Sequence, residues 1–262
     1  MATILDRYGI KEVADVTFYE INSDGTAGAP VLYLDTLKVS TIEQTAESAD
    51  ARGGKGNAAL ISWDYGKEIT VTLEDALYSA KSLALMFGDV DENGKPNSLT
   101  DGDTVIKKTA WAESVKSIGD GEDGSKTASV KINEKDFDLK KCTFYNESGA
   151  PVTNPTLTDA ENDDKPNFVY VTGEITITGG LQIDVSANGF PGTYYITGDT
   201  YARNENNGKD DFFQFIIPKA KVLSESNTIT LEAEGDPTVF SMSLKVLRPK
   251  DGVMMKLVQY AI

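Results

Sequence analysis

Lys67-Glu68-Ile69-Thr70-Val71-Thr72-Leu73-Glu74 alternates strictly between polar and apolar side chains. Ile69, Val71 and Leu73, with Leu77 beyond them, fall on one face; Glu68, Thr70, Thr72 and Glu74 fall on the other. A period of two in β-branched residues specifies a strand with one dry and one wet side, as in an antiparallel sheet covered on one side only. Upstream, 13–21 and 31–39 read as a strand and its return, with turn-forming Asn22 to Pro30 between them. Downstream, 168–178 leads through a tight turn at Gly179-Gly180 into 181–185. Further strands are expected at 193–201, 212–217, 227–233, 238–247 and 254–260, separated by turn residues that include Pro218. Many short strands at this spacing predict a mainly β chain, a sandwich or barrel. One short helix is expected at Ala80–Phe87, with Ser79 as N-cap and Gly88 at C′. Its packing stripe reads as Ala80, Leu83, Ala84 and Phe87.

The texture changes at residue 89. Acidic loops such as Asp120-Gly121-Glu122-Asp123-Gly124 separate short strand-like runs at 104–111, 128–132 and 137–144. The chain therefore divides into an N-terminal part, 1–88, an inserted acidic β-rich region, 89–165, and C-terminal strands, 166–262.

Composition closes off most chemistry. The 262 residues include no histidine and one cysteine, Cys142. Histidine-based nucleophilic triads and His/Cys zinc sites are excluded, as is a disulfide within the chain. With 25 basic and 41 acidic residues the formal charge is −16, a sign that repels nucleic acid and anionic membrane. The first residues lack a basic stretch followed by a long apolar one, so no signal peptide is read and the chain is expected to stay where it is made. Nothing approaches 18 consecutive apolar residues, and no membrane insertion is expected.

Few motifs carry a mechanism. Asp89, Asp91 and Asn93, followed by Gly94, start like a calcium loop. Thr100 then stands where a bidentate Glu is needed, so they are weak metal candidates and a solvated turn is the better reading. Gly53-Gly54-Lys55-Gly56 lacks the Walker spacing and must be a loop or sharp bend. No pair of carboxylates is singled out for glycoside hydrolysis. Cys142 reads as a small buried residue on a strand, and Trp63 and Trp111 as core or interface. No catalytic residue and no cofactor is assigned.

Two segments resemble the major tail tube proteins of long-tailed bacteriophages. One is Asp50-Ala51-Arg52-Gly53-Gly54-Lys55-Gly56-Asn57 with Ile61 to Ala76; the other is Phe213 to Lys221 with Gly235 to Leu247. The resemblance implies a β-sandwich with a flanking helix, and homohexameric rings stacked into a hollow tube in the virion tail, assembled in the host bacterial cytoplasm. It implies no enzymatic activity. Its expected partners are further copies of itself, the tape-measure protein and DNA within the lumen, and the tail terminator and baseplate proteins. Whether a tail sheath lies outside is left open. A long β-hairpin would match about 37–47 and 66–77. Arg52, Gly53, Gly54, Lys55, Gly56 and Asn57 would then form the long inter-subunit loop. The wet face becomes a set of lumen-lining candidates, Glu43, Thr45 and Glu47 on one strand and Glu68, Thr70, Thr72 and Glu74 on the other, although Ile42 breaks the alternation of the first. The competing readings are another phage structural, decoration or adhesin-like β protein, with or without calcium, and a carboxylate enzyme or calcium-dependent sugar binder.

Overall fold

The computed structural model describes residues 7–91, 95, 99–157, 165–225, 227–231 and 238–260. The chain forms two compact units, one of residues 1–100 and 183–262, the other of residues 101–182. These bounds differ from the 89 and 165 expected, because the strand over 170–183 pairs within the second unit.

The first unit opens with β1 (Tyr8–Ile10), β2 (Asp15–Ile21), β3 (Ala27–Leu34), β4 (Leu37–Gly53), β5 (Ala58–Asp75) and α1 (Ala80–Phe87). The second holds β6 (Leu99–Trp111), β7 (Val115–Asp120), β8 (Lys126–Ile132), β9 (Lys135–Tyr145), β10 (Pro151–Val152) and β11 (Tyr170–Ile183). The first then resumes with β12 (Thr193–Asn204), β13 (Asp210–Val222), β14 (Thr228–Ile229), β15 (Phe240–Val246) and β16 (Lys256–Tyr260). Its sheet runs β3-β2-β12-β13-β15-β5-β4, with β1 beside β12, β14 beside β15 and β16 beside β13. Every pairing whose register is described is antiparallel.

The core explains how the sheet closes. Val16 and Phe18 on β2, Ile69, Val71 and Leu73 on β5, Ile196 on β12, Ile217 on β13 and Leu244 on β15 belong to one buried cluster. Strands far apart in the sheet order share that cluster, so the sheet curls over its own dry face, giving the sandwich-like fold expected. Val71 is fully buried and Leu73 nearly so, each worth about 1.5–3 kcal/mol of transfer free energy. The second unit has its own sheet, β6-β11-β9-β8-β7 with β10 on β9, over a cluster that includes Val130, Leu139, Phe144 and Val171.

Several local expectations change. The 31–39 run is not one strand: it breaks at Asp35-Thr36, where β3 ends and the hairpin begins. Gly179-Gly180 is not a turn, because β11 continues through it with β6 alongside, and Asp103 accepts from the Gly179 N–H at 3.3 Å. Pro218 lies inside β13, where the register to β12 shifts between Tyr194 and Ile196, a bulge that tolerates the missing donor. The helix has the expected bounds and a Ser79–Ser82 capping box. Its buried side is Ser82, Ala84, Leu85 and Met86, rotated from the expected stripe. Gly88 caps it with extended backbone (φ −81°) and not in the left-handed region.

Cys142 stands on β9 opposite Lys126 and is half-buried against the second cluster. Burial pushes its thiol up to about 11, so little thiolate exists near neutrality. Thiol reagents at pH 7.5 should label the folded protein on the order of 100-fold more slowly than the urea-unfolded chain. Timed labelling in the two states checks this.

Candidate functional site

The longest continuous feature is the β4/β5 hairpin. It is anchored at its base by Asp75, a buried carboxylate that accepts from Thr36 Oγ1 at 2.5 Å and from Leu77 N at 3.2 Å. Directly opposed residues of an antiparallel pair point to the same side of the ribbon. Thr41 opposes Thr72, Glu43 opposes Thr70 and Thr45 opposes Glu68, while Ile42 opposes Val71 and Gln44 opposes Ile69. Glu43, Thr45, Glu68, Thr70, Thr72 and Glu74 therefore share one face, away from the core. Ile42 does not break the pattern: it sits on the dry face as a partly buried neighbour of the core cluster.

That face is wider than the sequence indicated. Ser241, Ser243 and Lys245 on β15 oppose Glu74, Thr72 and Thr70 and extend it by a strand. Lys245 Nζ donates to Glu68 Oε1 at 2.7 Å, and Lys221 on β13 opposes Lys245. The surface is acidic and hydroxylated on the hairpin and turns basic toward β13. Alternation of buried Met242, Leu244 and Val246 with Ser241, Ser243 and Lys245 is the signal that could have found these residues.

The distal half departs from expectation. Gly53 to Asn57 is no long loop. β4 runs to Gly53, β5 starts at Ala58, and only Gly54, Lys55, Gly56 and Asn57 make the turn. Three of those four have positive φ (77°, 88° and 50° for Gly54, Gly56 and Asn57), a tight reversal closed by Asn57 N to Gly54 O at 3.2 Å. Arg52 and Gly53 are strand residues, and Arg52 pairs with Asp50 at 2.6 Å. Between the Thr45–Glu68 and Glu47–Tyr65 pairs β5 carries one residue more than β4, a bulge in which Gly66 adopts φ 63°. Glu47 keeps to the side of Glu43 and Thr45, as expected, and beyond the bulge its neighbours on that side are Tyr65, Trp63 and Ile61. β15 pairs with β5 only over 70–75, and β4 ends the strand order. Among the described residues, no third strand joins either edge of the distal ribbon.

Among the described residues, Asp89 and Asp91 are not brought together as metal ligands. Asp91 Oδ1 accepts from Lys95 N at 2.9 Å, closing a turn, Asp89 packs against Gly189, and Asn93 lies outside the described residues. Among the described residues no group of three acidic or cysteine side chains is placed to hold a metal. In the 120–124 loop, the Ser125 hydroxyl and N–H donate to Asp123 and hold its carboxyl below the usual range. That is ordinary turn chemistry. Trp111 meets Tyr170 edge to face on the second unit.

The family model of the YomU/Tube protein family matches residues 8–259. The chain belongs to this family. The match runs from the start of β1 into the last residues of β16 and takes in residues 101–182. The tube protein is thus a phage structural protein of the virion tail, in a family not known for catalysis. Comparison with curated proteins gives no match. No helix among the described residues is long and apolar enough to cross a membrane.

Proposed function

We propose that this tube protein is the tail tube subunit of a long-tailed phage. Its copies close into hexameric rings that stack into a hollow tube, and DNA passes through the bore. The observation that carries the reading is the hairpin itself, two strands of 17 and 18 residues with a wet base face, whose β4 edge and distal β5 edge are unpaired among the described residues. Pairing between neighbouring copies removes those edges, which otherwise invite open aggregation. Ring number, the tape-measure, terminator and baseplate contacts, and assembly in the host cytoplasm follow from the resemblance to tail tube proteins. Glu43, Thr45, Glu68, Thr70, Thr72 and Glu74 would face the bore, where carboxylates repel phosphate at short range and DNA slides without sticking.

Electron microscopy of the concentrated protein, alone and with a tail initiator complex, should show rings or tubes. A strictly monomeric or trimeric protein under both conditions favours a decoration protein instead. Glu68→Lys with Glu74→Lys should leave folding intact, since both side chains lie off the core, while cutting DNA passage in an infectivity assay at least tenfold. Unchanged infectivity would remove these side chains from the bore.

A further inference from the structure

The two halves of the hairpin have opposite polarity. Below the bulge, the side continuous with the core carries Ile42, Ile69, Val71 and Leu73, and the other carries Glu43, Thr45, Glu68 and Thr70. Above it the sides exchange character. Ser48 opposes Asp64 and Asp50 opposes Ser62 on the core side; Ala49 opposes Trp63 and Ala51 opposes Ile61 on the formerly wet side. Leu60 lies against Gly53 on that second side, with Cδ1 3.5 Å from where a Cβ would stand. Leu60, Ile61, Trp63 and Tyr65 are 68%, 55%, 56% and 54% exposed. One extra residue at Gly66-Lys67 makes the exchange, because a one-residue slip moves every later side chain of β5 to the other face.

We infer that Leu60, Ile61, Trp63 and Tyr65 form the seat by which each hairpin packs on a second copy of this chain. Ser48, Asp50, Ser62 and Asp64 form the side left in water. The inference rests on the tube reading, and it assigns the water-facing side of the distal hairpin to the face opposite that of the base. Glu47, on the same side as Glu43 and Thr45, then lies where the acidic base meets the seam between copies.

Three features point to a second copy as the occupant. Copies of a chain with net charge −16 repel one another, so they meet most readily where charge is sparse. On the apolar side of the distal ribbon Glu47 is the only formal charge, whereas the other side carries Asp50, Arg52 and Asp64. The edges left unpaired among the described residues lie on opposite sides of the ribbon, one on β4 and one on distal β5, which suits head-to-tail addition of identical hairpins. Four large apolar side chains on one side of a two-stranded ribbon are also the exposed cluster that marks a contact surface.

Trp63 and Trp111 are the only tryptophans, so Trp111→Phe leaves Trp63 as a lone reporter in the full chain. Its emission should be water-like in dilute protein and shift to the blue as rings or tubes appear by light scattering. Trp63→Ser with Tyr65→Ser should lower the assembled fraction at least tenfold, while Asp50→Asn with Asp64→Asn should assemble like the parent. Assembly without a blue shift, together with normal assembly of the Ser variant, overturns the seat and leaves the tube reading standing. A parent chain that never assembles, even on an initiator, overturns both. A shift that follows added phosphatidylcholine vesicles and not protein concentration assigns the patch to lipid and overturns the seat.

Discussion

A chain in which Thr45 and Glu68 are joined directly by Asn-Gly, with residues 46–67 removed, should fold and fail to assemble. Thr45 and Glu68 are directly opposed on adjacent strands, and Asn-Gly is a favoured two-residue closure for such a pair. No residue between 43 and 68 belongs to the first unit's core cluster, whose hairpin contributors are Leu37, Ile69, Val71 and Leu73 with Ile42 beside them. The Lys245–Glu68 pair is retained, and an exposed pair of this kind is worth at most about 1 kcal/mol in any case. The melting temperature should therefore stay within about 4 °C of the parent, the shift expected for roughly 1 kcal/mol in a domain this size. Assembly should fall below detection by electron microscopy, because the deletion removes the apolar seat and most of the free edge. Tubes formed by the shortened chain would show that the hairpin is not the joint.

The reasons this hairpin was only half legible are physical. A core imposes alternation on a strand that packs against it, so Ile69, Val71 and Leu73 declared both the strand and its dry face. Ser79, Ala80–Phe87 and Gly88 declared the helix equally well, but eight residues leave a stripe poorly defined, and the buried side proved to include Ser82 and Met86. Among the described residues no layer lies behind the ribbon above the bulge to enforce one face. Ile61-Ser62-Trp63-Asp64-Tyr65 alternates in the same phase as 68–74, apolar at the odd positions, which by alternation alone would put both runs on one face, and the Gly-rich stretch before it looked like loop. The extra residue at Gly66-Lys67 turns that one sequence phase onto opposite faces, which alternation cannot reveal. Gly179-Gly180 and Pro218 misled for a related reason: each carries a turn signal locally, and in each a neighbouring strand carries the pairing past it. The widened wet face on β15 needed a register between residues some 170 positions apart, which alternation within one strand cannot supply.

Gly198→Ala should be among the most damaging single-methyl changes in the chain. Gly198 sits mid-strand on β12, opposed by Val16 on β2 and by Phe215 on β13. A Cβ there would stand 2.0 Å from Phe215 Cζ and 2.1 Å from Cε1, so the ring lies directly over the glycine. Phe215 is 3% exposed and part of the core cluster; its ring cannot swing into solvent, and the clash must be relieved by strand separation or a strained rotamer. Overpacking of this kind costs typically 1–3 kcal/mol. With both strands central to the sheet the expected loss is about 3 kcal/mol, or a melting shift on the order of 10 °C. Phe215→Leu alone should cost roughly 1–2 kcal/mol through the smaller side chain. The double variant decides the cause: the alanine methyl then enters space the ring has vacated, so its loss should fall short of the two single losses combined by about 1–2 kcal/mol. Additive losses in urea titrations would mean that glycine is required at position 198 for its backbone and not for the ring that covers it.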